Sequence, residues 1–164
     1  MSWLFGGLPL HPLFVHAAVI SVPVVALLAL AAAWIPKMRN WLGIVLPVLA
    51  TLAFLATLVT QQSGEALAEQ VTRTAAITAH TQIADVAVAG AALLFAGTWV
   101  HWAWPRYFTR PRPGRSAALV ADPRTARVLS VVIAIALSVV AVFAIVSMII
   151  VGDTGARALW RGAA

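Results

Sequence analysis

The chain has few charged residues and no cysteine. Charged residues make up 10% of its 164 residues, whereas hydrophobic residues make up 62%. A soluble globular domain carries about 25% charged and about 45–50% apolar residues. This sequence therefore has too few polar side chains to cover a water-facing surface, and too many apolar ones to be disordered. The composition predicts an integral membrane protein.

The absence of cysteine excludes several chemistries. The chain can form no disulfide, no thiolate nucleophile, no cysteine-ligated iron–sulfur cluster and no covalently attached c-type haem. Hydrolytic chemistry is also disfavoured, because no serine or pair of acids lies in a recognisable catalytic motif. We expect no catalytic residue and no independent enzymatic activity.

Four apolar runs are each long enough to cross a bilayer, which takes about 20 residues for a hydrocarbon core of about 30 Å. They cover residues 12–35, 41–60, 83–104 and 128–151. Lipid offers no hydrogen bonds to the backbone, so each span should be a helix, with kinks expected at the mid-span residues Pro23 and Pro47. The sequence thus predicts one all-α transmembrane domain over residues 1–164, an up-down four-helix bundle.

The basic residues predict the orientation of these spans. Eight of the eleven Lys and Arg residues lie in the first and third connections, 36–40 and 105–127. The positive-inside rule then makes those connections cytoplasmic and both termini extracytoplasmic, in a multi-pass protein of the bacterial inner (plasma) membrane. Arginines at 110–115 are interpreted as a topology signal, with binding of anionic lipid or an acidic partner as the alternative. Nucleic acid is not expected, because no suitable fold or aromatic platform accompanies them.

Most other polar side chains are predicted on the extracytoplasmic face. His11 and His16 lie at the outer end of the first span, and His80 lies at the outer end of the third. Two histidines from two helices of an apolar bundle can hold haem b axially. We therefore predict His16 and His80 as cofactor-binding residues, with His11 as an alternate. The other interpretation is that they hydrogen-bond between helices or to headgroups. His101, at the opposite end, is predicted to be interfacial.

Acidic residues near these histidines suggest an alternative to haem. Glu65 and Glu69 in the second connection could join His11, His16 and His80 around a transition metal or another metal ion, or along a proton path. The other interpretation is a solvated polar cap.

Four further charged residues are predicted to support such a site. Asp85 would orient a histidine or pair with an arginine, and the other interpretation is a plain hydrogen bond between helices. Arg73 and Arg157 would offset propionate or carboxylate charge, and Asp153 follows the fourth span, where it can cap a short helix.

Small residues in the third span predict close helix packing. Gly90 and Gly97 are seven positions apart, with Ala87 and Ala91 nearby. Small side chains allow membrane helices to approach closely.

Motifs at the two ends of the chain resemble those of a known family. The stretch GLPLHPLFVH at 7–16 resembles the HPLLVH-type start of a bacterial membrane family, catalogued as the domain of unknown function DUF2231, and GDTGARALW at 152–160 resembles its G-x-[ST]-G-A-[KR]-x-x-W close. The resemblance implies a small four-helix membrane protein. Some relatives are joined to, or encoded beside, cytochrome-like or Rieske-like domains, which favours a redox role. The resemblance singles out six positions for testing: His11, His16, Arg73, His80, Asp153 and Arg157.

Three functional hypotheses follow. The first is a haem- or metal-binding electron-transfer subunit that works with a redox partner in the lipid bilayer. The second is a non-catalytic accessory or scaffold subunit of a membrane complex, or a homo-oligomer. The third is a proton- or ion-coupled carrier that uses Asp85 and the histidines, although four spans leave little room for a cavity in one chain.

Overall fold

The computed structural model describes residues 4–5, 8–69, 74–109 and 119–160. Within those ranges the chain forms five helices and one pair of two-residue antiparallel strands, so the all-helical prediction is confirmed apart from that pair. The elements are β1 (Leu4–Phe5), β2 (Leu8–Pro9), α1 (Leu10–Trp34), α2 (Pro36–Leu42), α3 (Val45–Ala68), α4 (Ala75–Tyr107) and α5 (Pro123–Trp160).

Four of the described helices are long and apolar enough to cross a membrane. The qualifying segments are Phe14–Trp34, Val45–Ala68, Ile77–Tyr107 and Pro123–Arg157. Three of these helices extend well past the predicted spans, because a helix continues through polar residues until its hydrogen-bonding pattern is interrupted. At the start of α4, for example, the Thr74 side chain caps the helix by accepting from the Ile77 N–H at 3.3 Å.

The beginning of α5 is capped in a similar way. Asp122 precedes Pro123, which stands at the first helical position, where its missing N–H has no consequence. The Asp122 carboxylate accepts from the Thr125 N–H at 2.8 Å and from the Thr125 hydroxyl. The hydroxyl bond, together with the backbone bonds, lowers the pKa of Asp122 below its usual value.

The first connection is helical rather than a simple turn. Proline favours an extended residue before it and fits the first turn of a helix, and Ile35 and Pro36 follow that rule at the start of α2. Gly43 ends α2 with φ +49° and ψ −125°, a conformation that favours glycine. The prediction that Pro47 lies mid-span is wrong. It lies in the first turn of α3, where a missing N–H breaks no helical bond. Pro23 lies inside α1, as predicted.

The four long helices pack as a square. α1 lies against α3 and α5, and α4 lies against the same two helices, so α1 and α4 are diagonal. Alanine dominates the buried positions, while large apolar side chains such as Leu27, Val139 and Ile149 are about 60% exposed. Small residues inside and large apolar residues outside are the arrangement expected when lipid surrounds the protein.

The predicted close approach at Gly90 and Gly97 is confirmed, and the partner is α5. A Cβ built on Gly90 would lie 3.0 Å from the Ser147 Oγ and 3.3 Å from the Ala144 Cα. One built on Gly97 would lie 3.1 Å from the Leu137 Cδ1. Glycine is needed at Gly90 because the α5 backbone itself is within contact distance.

Contacts between helix ends define two ends of this bundle. At the histidine end, the start of α4 meets the ends of α3 and α5. At the tryptophan end, the end of α4 meets the starts of α3 and α5. There the Trp99 Nε1 donates to the Thr51 Oγ1 at 3.1 Å, and the Trp104 Nε1 donates to the Ser130 Oγ at 2.8 Å.

Candidate functional site

His80 packs against the conspicuous motif at the end of α5. Its Nδ1 lies 3.2 Å from the Thr154 Oγ1, and the Thr154 hydroxyl donates to the Val151 carbonyl at 3.1 Å. Since a hydroxyl has one proton to donate, and Thr154 donates it to Val151, the Thr154 oxygen is placed to accept from the His80 Nδ1–H.

The neighbouring Gly155 makes room for this ring. A Cβ built on Gly155 would lie 3.0 Å from the His80 Cε1, 3.5 Å from Nδ1 and 3.6 Å from Nε2. Any side chain there would press on the imidazole. Thr154 and Gly155 of the terminal motif therefore serve as the binding partner of His80, a role that the sequence analysis did not assign to them.

Asp85 is paired with a residue of α3. Its Oδ1 accepts from the Gln61 Nε2 at 2.8 Å, and the Asp85 side chain is otherwise exposed. The sequence left two interpretations open for Asp85, a contact with an arginine or a histidine and a plain hydrogen bond between helices, and the contact with Gln61 is of the second kind. The contact joins α3 and α4 at the histidine end, as the His80 contact joins α4 and α5.

Asp153 and Arg157 pair with each other on the surface of α5. The Arg157 Nη2 lies 2.9 Å from the Asp153 Oδ2, and Nε donates to Oδ1 at 3.0 Å. Both side chains are more than half exposed, so this bidentate i,i+4 pair contributes about 0–1 kcal/mol.

The remaining predicted residues that the structure describes lie near the start of α1 and at the end of α3. His16 is exposed on α1, and Glu65 and Glu69 are exposed at the end of α3. His11 lies in the first turn of α1, but its side chain is outside the described residues, as is all of Arg73. His16 and His80 each make a further interaction.

The His, Asp and Glu side chains are the groups that could hold a metal ion or haem. In the part of the chain that the structure describes, no group of three or more His, Asp or Glu side chains is arranged to hold a metal ion. An axial histidine needs space on its ring nitrogen for a flat porphyrin. The Nδ1 of His80 lies 3.2 Å from the Thr154 Oγ1, and its Cε1 faces Gly155, so α5 occupies this side of the ring.

His101 is buried, with only 6% of its surface exposed. Its position at the bilayer interface stays a prediction. Sequence inspection did not predict this burial, because the burial depends on which side of α4 faces the other helices.

The four apolar helices and their small-residue contacts define a multi-span membrane protein. The family described as "Predicted membrane protein (DUF2231)" matches residues 7–164. The chain belongs to that family, which confirms the resemblance of its terminal motifs. No curated protein and no solved structure matches the chain.

Proposed function

We propose that this protein is a non-catalytic accessory subunit of a membrane complex. The observation that carries the proposal is the use of the polar side chains at the histidine end. His80 contacts Thr154, Asp85 accepts from Gln61, and Asp153 pairs with Arg157 within α5. These bonds link neighbouring helices or stabilise one helix, which is a structural use rather than a convergent reactive centre.

A groove between α1 and α3 supports an interaction role. Its lining alternates small and larger apolar residues: Ala17, Ser21, Val24, Val25, Leu49, Leu52, Ala53 and Ala56. The Ser21 Oγ is buried with no hydrogen-bond partner among the described residues. Small side chains and a hydroxyl are what membrane helices use to approach one another closely. The occupant we propose is a transmembrane helix of another subunit.

The mass of the native particle tests this proposal. The chain would be extracted from its own membrane with a lipid-preserving polymer at native expression level, and single-particle mass would be measured. Ala17→Leu would fill the groove, whereas Ala136→Leu makes the same change at an exposed position of α5. We expect a particle heavier than one chain for the wild type and for Ala136→Leu, reduced to one chain by Ala17→Leu. A one-chain wild-type particle, or a particle made only of copies of this chain, would contradict the proposed partner.

A visible absorption spectrum tests the electron-transfer hypothesis separately. Protein purified gently from haem-replete cells would be recorded oxidised and after dithionite. A colourless, folded and metal-free preparation is the result that the accessory role requires. A Soret band lost in both His16→Ala and His80→Ala would instead establish a haem subunit and overturn it.

We also propose an up-down arrangement of the four spans, in one transmembrane domain of the plasma membrane, with both termini extracytoplasmic. The end-to-start contacts and the excess of arginine toward the tryptophan end support it. Because the chain has no cysteine, a single introduced cysteine is its only thiol, and labelling of that thiol shows which side of the membrane the residue faces. Gln62→Cys should react with an impermeant maleimide in intact cells, and Arg127→Cys should react only after permeabilisation. The reverse pattern would refute the orientation.

A further inference from the structure

The short helix α2 has two unlike faces. It connects α1 and α3, which contain the candidate spans Phe14–Trp34 and Val45–Ala68, so it lies where the chain turns at the membrane surface. Its inner face is apolar, since Leu42 is buried and Met38 packs against the core of the bundle. Leu42 and Met38 are four positions apart and share one side of the helix. The opposite side is left outside the bundle.

The outer side of α2 carries three hydrogen-bond donors. They are the Lys37 ammonium, the Asn40 amide and the Trp41 indole, and all three residues are exposed. Positions i, i+3 and i+4 lie within about 100° around a helix, so the three donors share one face. Trp41 is 75% exposed, more than any other large apolar residue that the structure describes. These three residues are called the α2 face below.

The donors of the α2 face have no hydrogen bond or ion pair within the described part of the chain. Other tryptophans at this end differ. The Trp34 Nε1 donates to the Ser138 Oγ at 2.9 Å, and those of Trp99 and Trp104 donate to hydroxyls of neighbouring helices. Those indoles join one helix to another, whereas the Trp41 N–H is available to a group outside the chain. Exposed tryptophan in membrane proteins typically lies at headgroup depth.

Charge at the tryptophan end favours an anionic partner. Among the described residues, five basic side chains and one carboxylate lie there, a net charge of +4: Lys37, Arg39, Arg106, Arg124 and Arg127 against Asp122. The other four carboxylates lie toward the histidine end, and Asp122 already accepts from the start of α5. An anion that approaches this surface is therefore attracted by an excess of cations.

We propose that the α2 face binds the headgroup of an anionic phospholipid. The Lys37 ammonium supplies a positive charge, and the Asn40 and Trp41 N–H groups supply further donors to phosphate oxygens. The face lies where two spans end, which is the depth of the headgroups. The start of α3 exposes Ile44 and Val45, which offer the acyl chains an apolar surface next to α2.

Native mass spectrometry of the full chain in neutral detergent tests this proposal. The protein would be titrated with phosphatidylglycerol and, separately, with phosphatidylcholine of the same acyl chains, which carries a phosphate but no net charge. We expect the wild type to bind phosphatidylglycerol more tightly. Lys37→Gln/Trp41→Phe removes the ammonium and the indole N–H but keeps an aromatic ring. It should weaken phosphatidylglycerol binding about tenfold.

A matched control makes the same chemical changes at other positions of the same end. Arg127→Gln removes an exposed charge from α5, and Trp34→Phe removes an indole that is 56% exposed but donates within the bundle. Arg127→Gln/Trp34→Phe should stay within about twofold of the wild type, because an exposed charge that does not contact the lipid contributes little. Helix content shows whether each variant is folded.

Selective loss of phosphatidylglycerol binding in Lys37→Gln/Trp41→Phe supports the site. Equal weakening in both double variants, no weakening in either, or equal affinity of the wild type for the two lipids would overturn it. Asn40→Asp is a second variant at an exposed position, where the change does not disturb packing. It places a carboxylate beside the other two donors and should remove the preference for phosphatidylglycerol. An unchanged preference would also contradict the proposal.

Discussion

Replacing Gly90 with alanine should separate helix packing from helix propensity in this bundle. The new methyl group would lie 3.0 Å from the Ser147 Oγ and 3.3 Å from the Ala144 Cα. The first neighbour is a buried side chain and the second is backbone, so α4 and α5 must move apart. Gly152→Ala is the matched control, because a Cβ there has nothing within 4 Å.

The difference between the two variants measures the packing effect. Overpacking a tight interior costs about 1–3 kcal/mol. Alanine in place of a helical glycine gains up to about 1 kcal/mol in both variants, so that gain cancels. We expect Gly90→Ala to be about 1–3 kcal/mol less stable than Gly152→Ala. Gly97→Ala should fall between them, since its close neighbour is the movable end of the Leu137 side chain.

Reversible unfolding in mixed micelles, titrated with sodium dodecyl sulfate, gives the free energy of unfolding for each variant. Helix content recorded before the titration controls for folding at the start. Equal stability of Gly90→Ala and Gly152→Ala would refute the close approach of α4 and α5. Loss of stability in Gly152→Ala would refute the open space assigned to that position.

Three further predictions use the same unfolding measurement. Gly155→Ala should destabilise the wild type but have little effect in a His80→Ala background, with a coupling energy of about 0.5–3 kcal/mol; additive effects would contradict the contact. Trp104→Phe removes an indole donor to α5 and should cost about 0.5–1.5 kcal/mol, while Trp41→Phe, at a 75% exposed position, should cost less; equal losses would contradict this. The pKa of Asp122 is lowered from 3.8, so its contribution is complete above that pH and is lost as pH falls through the lower folded value. The wild type should therefore lose stability relative to Asp122→Asn in acid, and parallel pH profiles would refute the cap.

The predicted ligands could be located along the chain, but their partners could not be predicted. Periodicity and topology placed His80 and Asp85 near one end of the bundle. They did not say that His80 faces Thr154, 74 residues further along, or that Asp85 faces Gln61 on α3. Which side of a helix faces which neighbour depends on the rotation of each helix, and each of the four long helices is apolar over most of its surface. A helix without a polar face has no simple sequence signal for that rotation.

The predicted boundaries of the helices were inaccurate for a different reason. Hydropathy marks where side chains prefer lipid, whereas a helix ends where its backbone hydrogen bonds end. Thr74 and Asp122 begin helices several residues before the apolar runs, and caps of this kind are visible in the sequence as Thr and Asp-Pro signals. Pro47 lies in a first turn because α2 takes up residues that hydropathy divided between a loop and the second span, so that α3 begins only at Val45.

The sequence by itself determined the class of protein, the number of apolar spans and the small-residue contact surface on α4. These follow from composition and hydropathy, because whether a segment partitions into lipid depends on its own side chains. Only the tertiary structure decided that His80 contacts the terminal motif and that the Arg106 guanidinium lies beside the turn at Gly43. Those arrangements join residues far apart in the chain. They follow from how closely four nearly uniform apolar helices can pack, which is set by the shapes of all their small residues together.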